Sequence, residues 1–366
     1  MGSTRYFTSC FHHHSDMLPV RMVSAPFERP SVKKVALFTA ILFAAGAAPT
    51  FSENPPQNPN AHQNKTVLIV IGSAGTPQYG DSFAQWASLW EKACKKGDAV
   101  SIIVGMETLK ESSVRDQLKK QLSHQENNSS GSLWLVFIGH GTFDGRSAKF
   151  NLPGPDLSAA DLAQWLKPIH KPITIINTAS ASAPFINALS APQRIIMTAT
   201  KSGYEQNYTH FGQYLAEAIT DPKADLDKDD QTSLLEAFLT ASKRLDEFYQ
   251  AQGRIATEHP LLDDNGDGLG TSHKWYNGIT PVHKSQIKSP LDGYRAHQLH
   301  LVPSEAEKKI PPPLRIRRDQ LEIEVIKLRN AMDSYSQDEY FSKLEKLLIE
   351  IAQIYDKVDK TEFKPR

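Results

Sequence analysis

The sequence predicts an α/β fold: a mostly parallel sheet flanked by helices, followed by a C-terminal α-helical hairpin. Three observations carry this. Five short runs rich in β-branched residues alternate with helix-length segments, the pattern of a sheet built by crossover connections. The runs are apolar almost throughout, as expected of strands covered on both faces. Beyond "IPPPL", Leu321, Val325, Leu328 and Met332 repeat at 4-3-4 spacing, and so do Leu344, Leu348, Ile351 and Tyr355, with "DSYSQ" between the two series.

The elements follow in order. "TVLIVIGS" (66–73) is the first strand. Residues 82–97 form a helix whose Phe83, Trp86, Trp90 and Cys94 share one face, ended by Gly97. "AVSIIVG" (99–105) is the second strand, 109–124 a polar helix, and "LWLVFIG" (133–139) the third strand. Residues 157–169 form a helix opened by Ser158, with Asp161 three residues on as a capping box. "ITIIN" (173–177) and "RIIMTAT" (194–200) are the fourth and fifth strands, and 208–219 and 233–252 are helices. The domain is bounded at 66–285. A Pro-punctuated linker spans 286–312, and the hairpin 313–366 packs on its own domain or self-associates through its apolar seams.

The N-terminal 1–48 reads as a signal peptide. Lys33 and Lys34 precede the short apolar run 35–48, which ends in small residues that suit cleavage after Ala47 or Ala48. The run is short for a bilayer span, so no stable span is expected after cleavage, although an uncleaved anchor is the alternative. Met17 or Met22 as the true start would remove Cys10 and the triplet His12–His14. The expected destination is periplasmic or secreted. Residues 49–65, rich in Pro, Asn and Gln, form a linker. Processing leaves Cys94 as the one cysteine, a small buried apolar group with no disulfide partner. The chain has 41 basic and 41 acidic residues, which supplies no basic field for nucleic acid.

Ligands of parallel sheets gather at the carboxyl ends of strands. The third strand ends in "GHGTFDG" with His140 and Gly141. The fourth runs into "NTASASAPF", carrying Ala179, Ser180 and Ser182. With the strand–helix order and "TATKSGYEQNYTHFGQYLAEAI" after the fifth strand, these residues resemble the caspase-like cysteine peptidases, in particular the legumain-type (C13-like, hemoglobinase-like) branch found in bacteria. The resemblance covers about residues 66–275. It implies a caspase/hemoglobinase-like sheet, His140 as the dyad histidine, Gly141 as an oxyanion donor, and a nucleophile where "NTA" ends. That position holds Ala179, or Ser180 if the register slips by one, and no cysteine occurs in 173–185. The expectation is a pseudo-peptidase, a binding or assembly module that holds peptide or protein segments in the old cleft. The alternatives are a hydrolase using Ser180 or Ser182 with His140, and an oligomerising envelope subunit. A serine nucleophile needs a base oriented by a third group, for which Asp144 and Asp156 are the nearby acids. Lys201, Ser202 and Glu205 are candidate pocket residues, with solvated loop positions as the plain alternative.

Two acidic loops suit Ca²⁺ as a structural cofactor. "DLDKDDQTSLLE" places Asp225, Asp227, Asp229, Gln231, Ser233 and Glu236 at the ligand positions of an EF-hand loop. Asp230 stands where that loop has glycine and must take a left-handed conformation. "DDNGDGLGT" places Asp263, Asn265 and Asp267 in the same pattern before Gly268. Lys274 excludes a complete EF-hand there, so a residue such as Glu258 would have to complete the site. The alternatives are an acidic helix-capping turn and a Gly-rich turn with Asx hydrogen bonds.

Overall fold

The computed structural model describes residues 64–106, 112–126, 130–283 and 291–362. The signal segment with its candidate start sites, Cys10 and the histidine triplet lie outside these residues.

In chain order the first elements are β1 (Lys65–Ile71), α1 (Pro77–Lys96), β2 (Val100–Val104), α2 (Val114–Glu126) and β3 (Ser132–Ile138). Three short strands follow, β4 (Gly141–Phe143), β5 (Ala148–Phe150) and β6 (Leu157–Ser158), then α3 (Ala159–Trp165), β7 (Ile173–Asn177), α4 (Pro184–Leu189), β8 (Arg194–Thr198), α5 (Phe211–Ala218) and α6 (Leu234–Ala251). The last part holds β9 (Leu261–Asp263), β10 (Thr271–Ser272), the small pair β11 (Tyr276–Asn277) and β12 (Thr280–Pro281), then α7 (Tyr294–His297), α8 (Glu305–Lys309), α9 (Pro312–Asn330) and α10 (Gln337–Glu362).

The sheet has seven strands in the order β10-β9-β8-β7-β3-β1-β2. β2, β1, β3, β7 and β8 are parallel, and β9 and β10 are antiparallel at one edge. Alternate residues of each central strand serve two cores. Val67, Ile69, Trp134 and Val136 join Trp86, Trp90, Phe211 and Phe238 under α1, α5 and α6. Leu68, Val70, Leu135 and Phe137 join Leu118, Leu162 and Phe185 under α2, α3 and α4. This is the mostly parallel, doubly covered α/β architecture read from the sequence. The five parallel strands begin and end within two residues of their expected limits.

Cys94 is fully buried in the first core, as expected, and burial pushes its thiol up to about 12. The Ser158–Asp161 capping box is present. α1 begins earlier than expected, at Pro77, because the Thr76 hydroxyl accepts the Tyr79 N–H and proline suits the first helical turn.

Segment 291–310, expected to be linker, is packed instead. Leu291, Ala296, Leu301 and Ile310 are buried, and the Leu301 carbonyl takes a hydrogen bond from the buried Lys65 ammonium at 3.3 Å. Gly97 permits this approach, since a Cβ there would lie 2.0 Å from the Leu301 oxygen. Its one proline, Pro303, stands in the turn between α7 and α8.

The helical hairpin forms from α9 and α10, but its seam differs from the expected one. Leu321 and Leu328 are buried, whereas Met332 lies past the end of α9 and is exposed. On α10, Tyr340, Ile354 and Val358 are buried, while Leu348 and Tyr355 face solvent. α10 carries two apolar rows, and a 4-3-4 series alone does not say which row turns inward. No described helix is long and apolar enough to cross a membrane.

Candidate active site

β3 and β7 run side by side in parallel, with Phe137 opposite Asn177. The segments after them therefore emerge at the same end of the sheet. Gly141, the residue after His140, meets Ser180 there.

Two glycines flank His140, and each is required by close packing. A Cβ at Gly139 would meet the Phe150 ring at 2.9 Å, and one at Gly141 would lie 2.2 Å from the Ser180 carbonyl oxygen. The backbone of Gly141 and the side chain of Ser180 are locked together. The Gly141 N–H donates to Ser180 Oγ at 3.1 Å, and Ser180 Oγ donates to the Gly141 carbonyl at 3.0 Å. Both residues are buried.

His140 turns elsewhere. Its Nε2 lies 3.2 Å from the Ala74 carbonyl in the loop after β1. A carbonyl only accepts, so Nε2 carries the proton and Nδ1 the lone pair. The ring is packed edge-on against Tyr79 and Phe83 at centroid distances of 4.9 and 5.3 Å, with Tyr208 at 5.9 Å. Burial lowers its basicity, partly offset by the hydrogen bond to Ala74. His140 makes no hydrogen bond to Ser180 or Ser182.

The other hydroxyls of this loop are also engaged. Ser182 Oγ accepts the N–H groups of Ala199 and Thr200 at 3.1 and 3.3 Å and lies 3.2 Å from Thr200 Oγ1. Thr178 Oγ1 donates to the Phe137 carbonyl at 2.7 Å. Ala179 is fully buried in the second core. Ala181 adopts φ 53°, a left-handed conformation that costs a residue with a Cβ about 1 kcal/mol or more. Its N–H donates to the Glu205 carbonyl at 2.8 Å, which holds the turn in place.

Neither nearby acid orients His140. Asp144 Oδ1 accepts the N–H groups of Arg146 and Ser147 in its own turn, and Asp156 Oδ1 accepts that of Leu152.

The pocket candidates Lys201, Ser202 and Glu205 share one loop beside the β4–β5 pair. The Phe143 ring packs edge-on against Tyr204 at 5.2 Å, and Gln206 donates to the Phe143 carbonyl at 3.1 Å. Glu205 accepts the Lys201 N–H at 2.9 Å and lies 2.5 Å from His259 Nδ1. Ser202 Oγ accepts the Tyr204 N–H at 3.1 Å. Of the three, only the Lys201 side chain is largely exposed, at 54 %.

Sequence reasoning missed Glu258 in its actual role. Both of its oxygens serve the start of α5, accepting the N–H groups of His210 and Phe211 at 2.8 and 3.0 Å, and Tyr249 donates to it at 3.0 Å. Burial raises it to about 7, against the pull of these bonds. It is thus committed to the start of α5 and does not complete the loop at Asp263. No local pattern signals this, because its partners lie 47 residues away in sequence or more, apart from Tyr249.

The loop at Asp225 brings carboxylate oxygens of Asp225, Asp227 and Asp229 within 4.8 Å of one another. Asp230 takes φ 66°, the left-handed conformation expected at that position. The remaining expected ligands are committed to the chain. Glu236 accepts from Leu226 N, Asp227 N, Ser233 N and Ser233 Oγ. Gln231 donates to Asp229 and accepts the Ser304 N–H. Ser233 caps α6. His297 Nε2 lies 3.5 Å from Asp227, and the Lys228 ammonium meets the Asp225 carbonyl. The loop thus has the acidic, helix-capping arrangement together with a converging carboxylate triad. At the second loop, Asn265 and Asp267 accept the N–H groups of Asp267 and Leu269, the Asx turns of the plain reading.

No family model matches the chain, and no curated protein matches it. Among solved structures it is similar to the Drosophila initiator caspase Dronc, at 13 % identity and a TM-score of 0.35, over 60 % of this chain and 85 % of that one. It is also similar to caspase-1 from Spodoptera frugiperda, at 12 % identity and a TM-score of 0.38, over 57 % of this chain and 88 % of that one.

Proposed function

We propose that this chain is a peptidase-fold protein of legumain-type ancestry that has lost its nucleophile. It works as an exported binding or assembly module, in the periplasm or outside the cell, holding peptide or protein segments without cutting them. One observation carries the reading: the backbone N–H of Gly141, the oxyanion donor of a working site, is already taken by Ser180 Oγ. An oxyanion donor must be free to face the developing charge. The residue at the nucleophile position is a buried alanine, and the histidine is bonded to Ala74. The serine-hydrolase reading with Ser180 or Ser182 is weaker, because each hydroxyl already has partners other than an imidazole. The exposed Tyr204 ring, 75 % accessible beside Phe143, offers an apolar rim for an extended segment.

The test is incubation of the full chain with a library of extended peptides, read by co-elution and by mass spectrometry of the peptides. Retention of a peptide subset with every mass unchanged supports the reading. Appearance of cleavage products, absent in a Ser180→Ala chain, overturns it.

A second reading, an oligomerising subunit, is favoured by one feature. Phe341, Leu348, Ile349 and Tyr355 of α10 are between 43 and 51 % exposed.

A further inference from the structure

The sequence contains two Asn-Gly steps, Asn265–Gly266 and Asn277–Gly278. Such a step carries its own reaction. The glycine's backbone nitrogen attacks the asparagine side-chain carbon Cγ and closes a succinimide ring, because no side chain on the glycine stands in the way. The reaction needs a free nitrogen, a carboxamide able to turn toward it, and room for the ring. The structure meets these needs at one step and not at the other.

At Asn265–Gly266 both partners are held. The Gly266 N–H donates to Asp263 Oδ1 at 3.0 Å, and Asn265 Oδ1 accepts the Asp267 N–H at 2.8 Å. The loop is half-buried and crowded, since a Cβ on Gly266 would lie 3.1 Å from the Ala191 carbonyl oxygen.

Asn277–Gly278 stands at the tip of the β11–β12 hairpin. Asn277 pairs with Thr280, so Gly278 and Ile279 form a two-residue turn, with the glycine at φ 58°. A II′ turn takes glycine at this position. Asn277 and Gly278 are both exposed, and a Cβ on Gly278 would meet no atom within 4 Å. Among the described residues, neither the Asn277 carboxamide nor the Gly278 N–H has a hydrogen-bond partner.

We propose that Asn277 is a site of spontaneous covalent modification, converted to aspartate and isoaspartate through attack by the Gly278 nitrogen, while Asn265 is protected. The Gly278 N–H gives its proton to hydroxide and the nitrogen bonds to Cγ of Asn277. The bond from Cγ to the carboxamide nitrogen then breaks, and that nitrogen leaves as ammonia after taking a proton from water, which restores the hydroxide. Water opens the succinimide at either carbonyl, giving the aspartyl or the isoaspartyl chain, and nothing is oxidised or reduced. Both products add a negative charge to the hairpin. The isoaspartyl form also carries the side-chain carbon into the backbone, which breaks the pairing of Asn277 with Thr280. This goes beyond the binding-module reading and does not depend on it.

The test is incubation of the folded full chain at pH 6 and pH 9, then digestion at mildly acidic pH and mass spectrometry of the peptides. A urea-unfolded chain and Asn277→Gln, whose longer side chain does not close this ring, are run in parallel. In the folded chain the peptide carrying Asn277 is expected to gain the mass of deamidation and to split into two isomeric peaks. The gain is faster at pH 9, because the attacking nitrogen must lose its proton. Two hydrogen bonds must break before Asn265 reacts, so its peptide is expected to lag by about tenfold or more. In urea the two rates converge, and in Asn277→Gln the altered peptide keeps its mass. Equal rates at the two positions in the folded chain overturn the proposal. So does an intact Asn277 there once the unfolded chain has converted its own.

Discussion

Ser180 Oγ and the backbone of Gly141 form a closed pair of hydrogen bonds, one accepted at 3.1 Å and one donated at 3.0 Å, across two adjacent parallel strand ends. The hydroxyl that would serve as a substitute nucleophile is a structural strut. It joins the loop after β7 to the start of β4. Removing it leaves a buried N–H and a buried C=O without their partner. Ser180→Ala is therefore expected to lower the unfolding free energy by about 1–3 kcal/mol. Denaturant unfolding measures this, and an unchanged midpoint would show that the strut carries no weight.

His140 is held as the neutral tautomer with the proton on Nε2. Because burial lowers its basicity, the folded state prefers the neutral ring. Stability from this preference is complete above the ordinary value of 6.5 and is lost as the pH falls below it. Nitrogen-15 NMR of the imidazoles is expected to show an Nε2–H signal for His140 and a titration midpoint below 6.5. A midpoint above that value, with an Nδ1–H tautomer, would point to an ion-paired catalytic histidine instead.

Glu258 gives a pH dependence of the opposite sign. Its carboxyl is raised from 4.5 to about 7 by burial, so the folded state holds its proton more tightly than the unfolded chain. Stability from this source is present below about 4.5 and is lost as the pH rises through about 7. The shift corresponds to roughly 3 kcal/mol at most. Comparing unfolding free energies at pH 5 and pH 8, the unaltered chain is expected to lose more stability than Glu258→Gln. Parallel losses in both chains would count against this assignment.

The exposed apolar row of α10 separates the two functional readings. If the row is an interface between copies, Phe341→Lys with Leu348→Lys reduces the mass measured by light scattering and leaves the melting temperature nearly unchanged, since both side chains are half exposed. A monomeric mass for the unaltered chain removes the oligomer reading.

Much of the architecture was legible because the central strands are apolar on both faces, and their β-branched runs stand out against the helices between them. That the segments after β3 and β7 emerge at one end of the sheet followed from strand adjacency alone. The role of Ser180 did not, because its partner Gly141 is 39 residues away and the bond depends on a close backbone approach that only coordinates reveal. The strands β4, β5 and β6 are two or three residues long and leave no periodicity to read. On α10, Leu347 and Leu348 are neighbours in sequence, and packing leaves Leu347 half-buried and Leu348 exposed. The Asp225 loop matched a ligand pattern in sequence, yet the same oxygens satisfy its own amides.

The most direct test of a nucleophile-free site is intact-mass spectrometry of the folded full chain after prolonged exposure to an excess of a serine-directed fluorophosphonate. With Ser180 bound to Gly141 and His140 bound to Ala74, no mass increase is expected. A stoichiometric adduct mapped to Ser180 or Ser182, and lost in His140→Ala, would contradict the central claim and make this chain a working serine hydrolase.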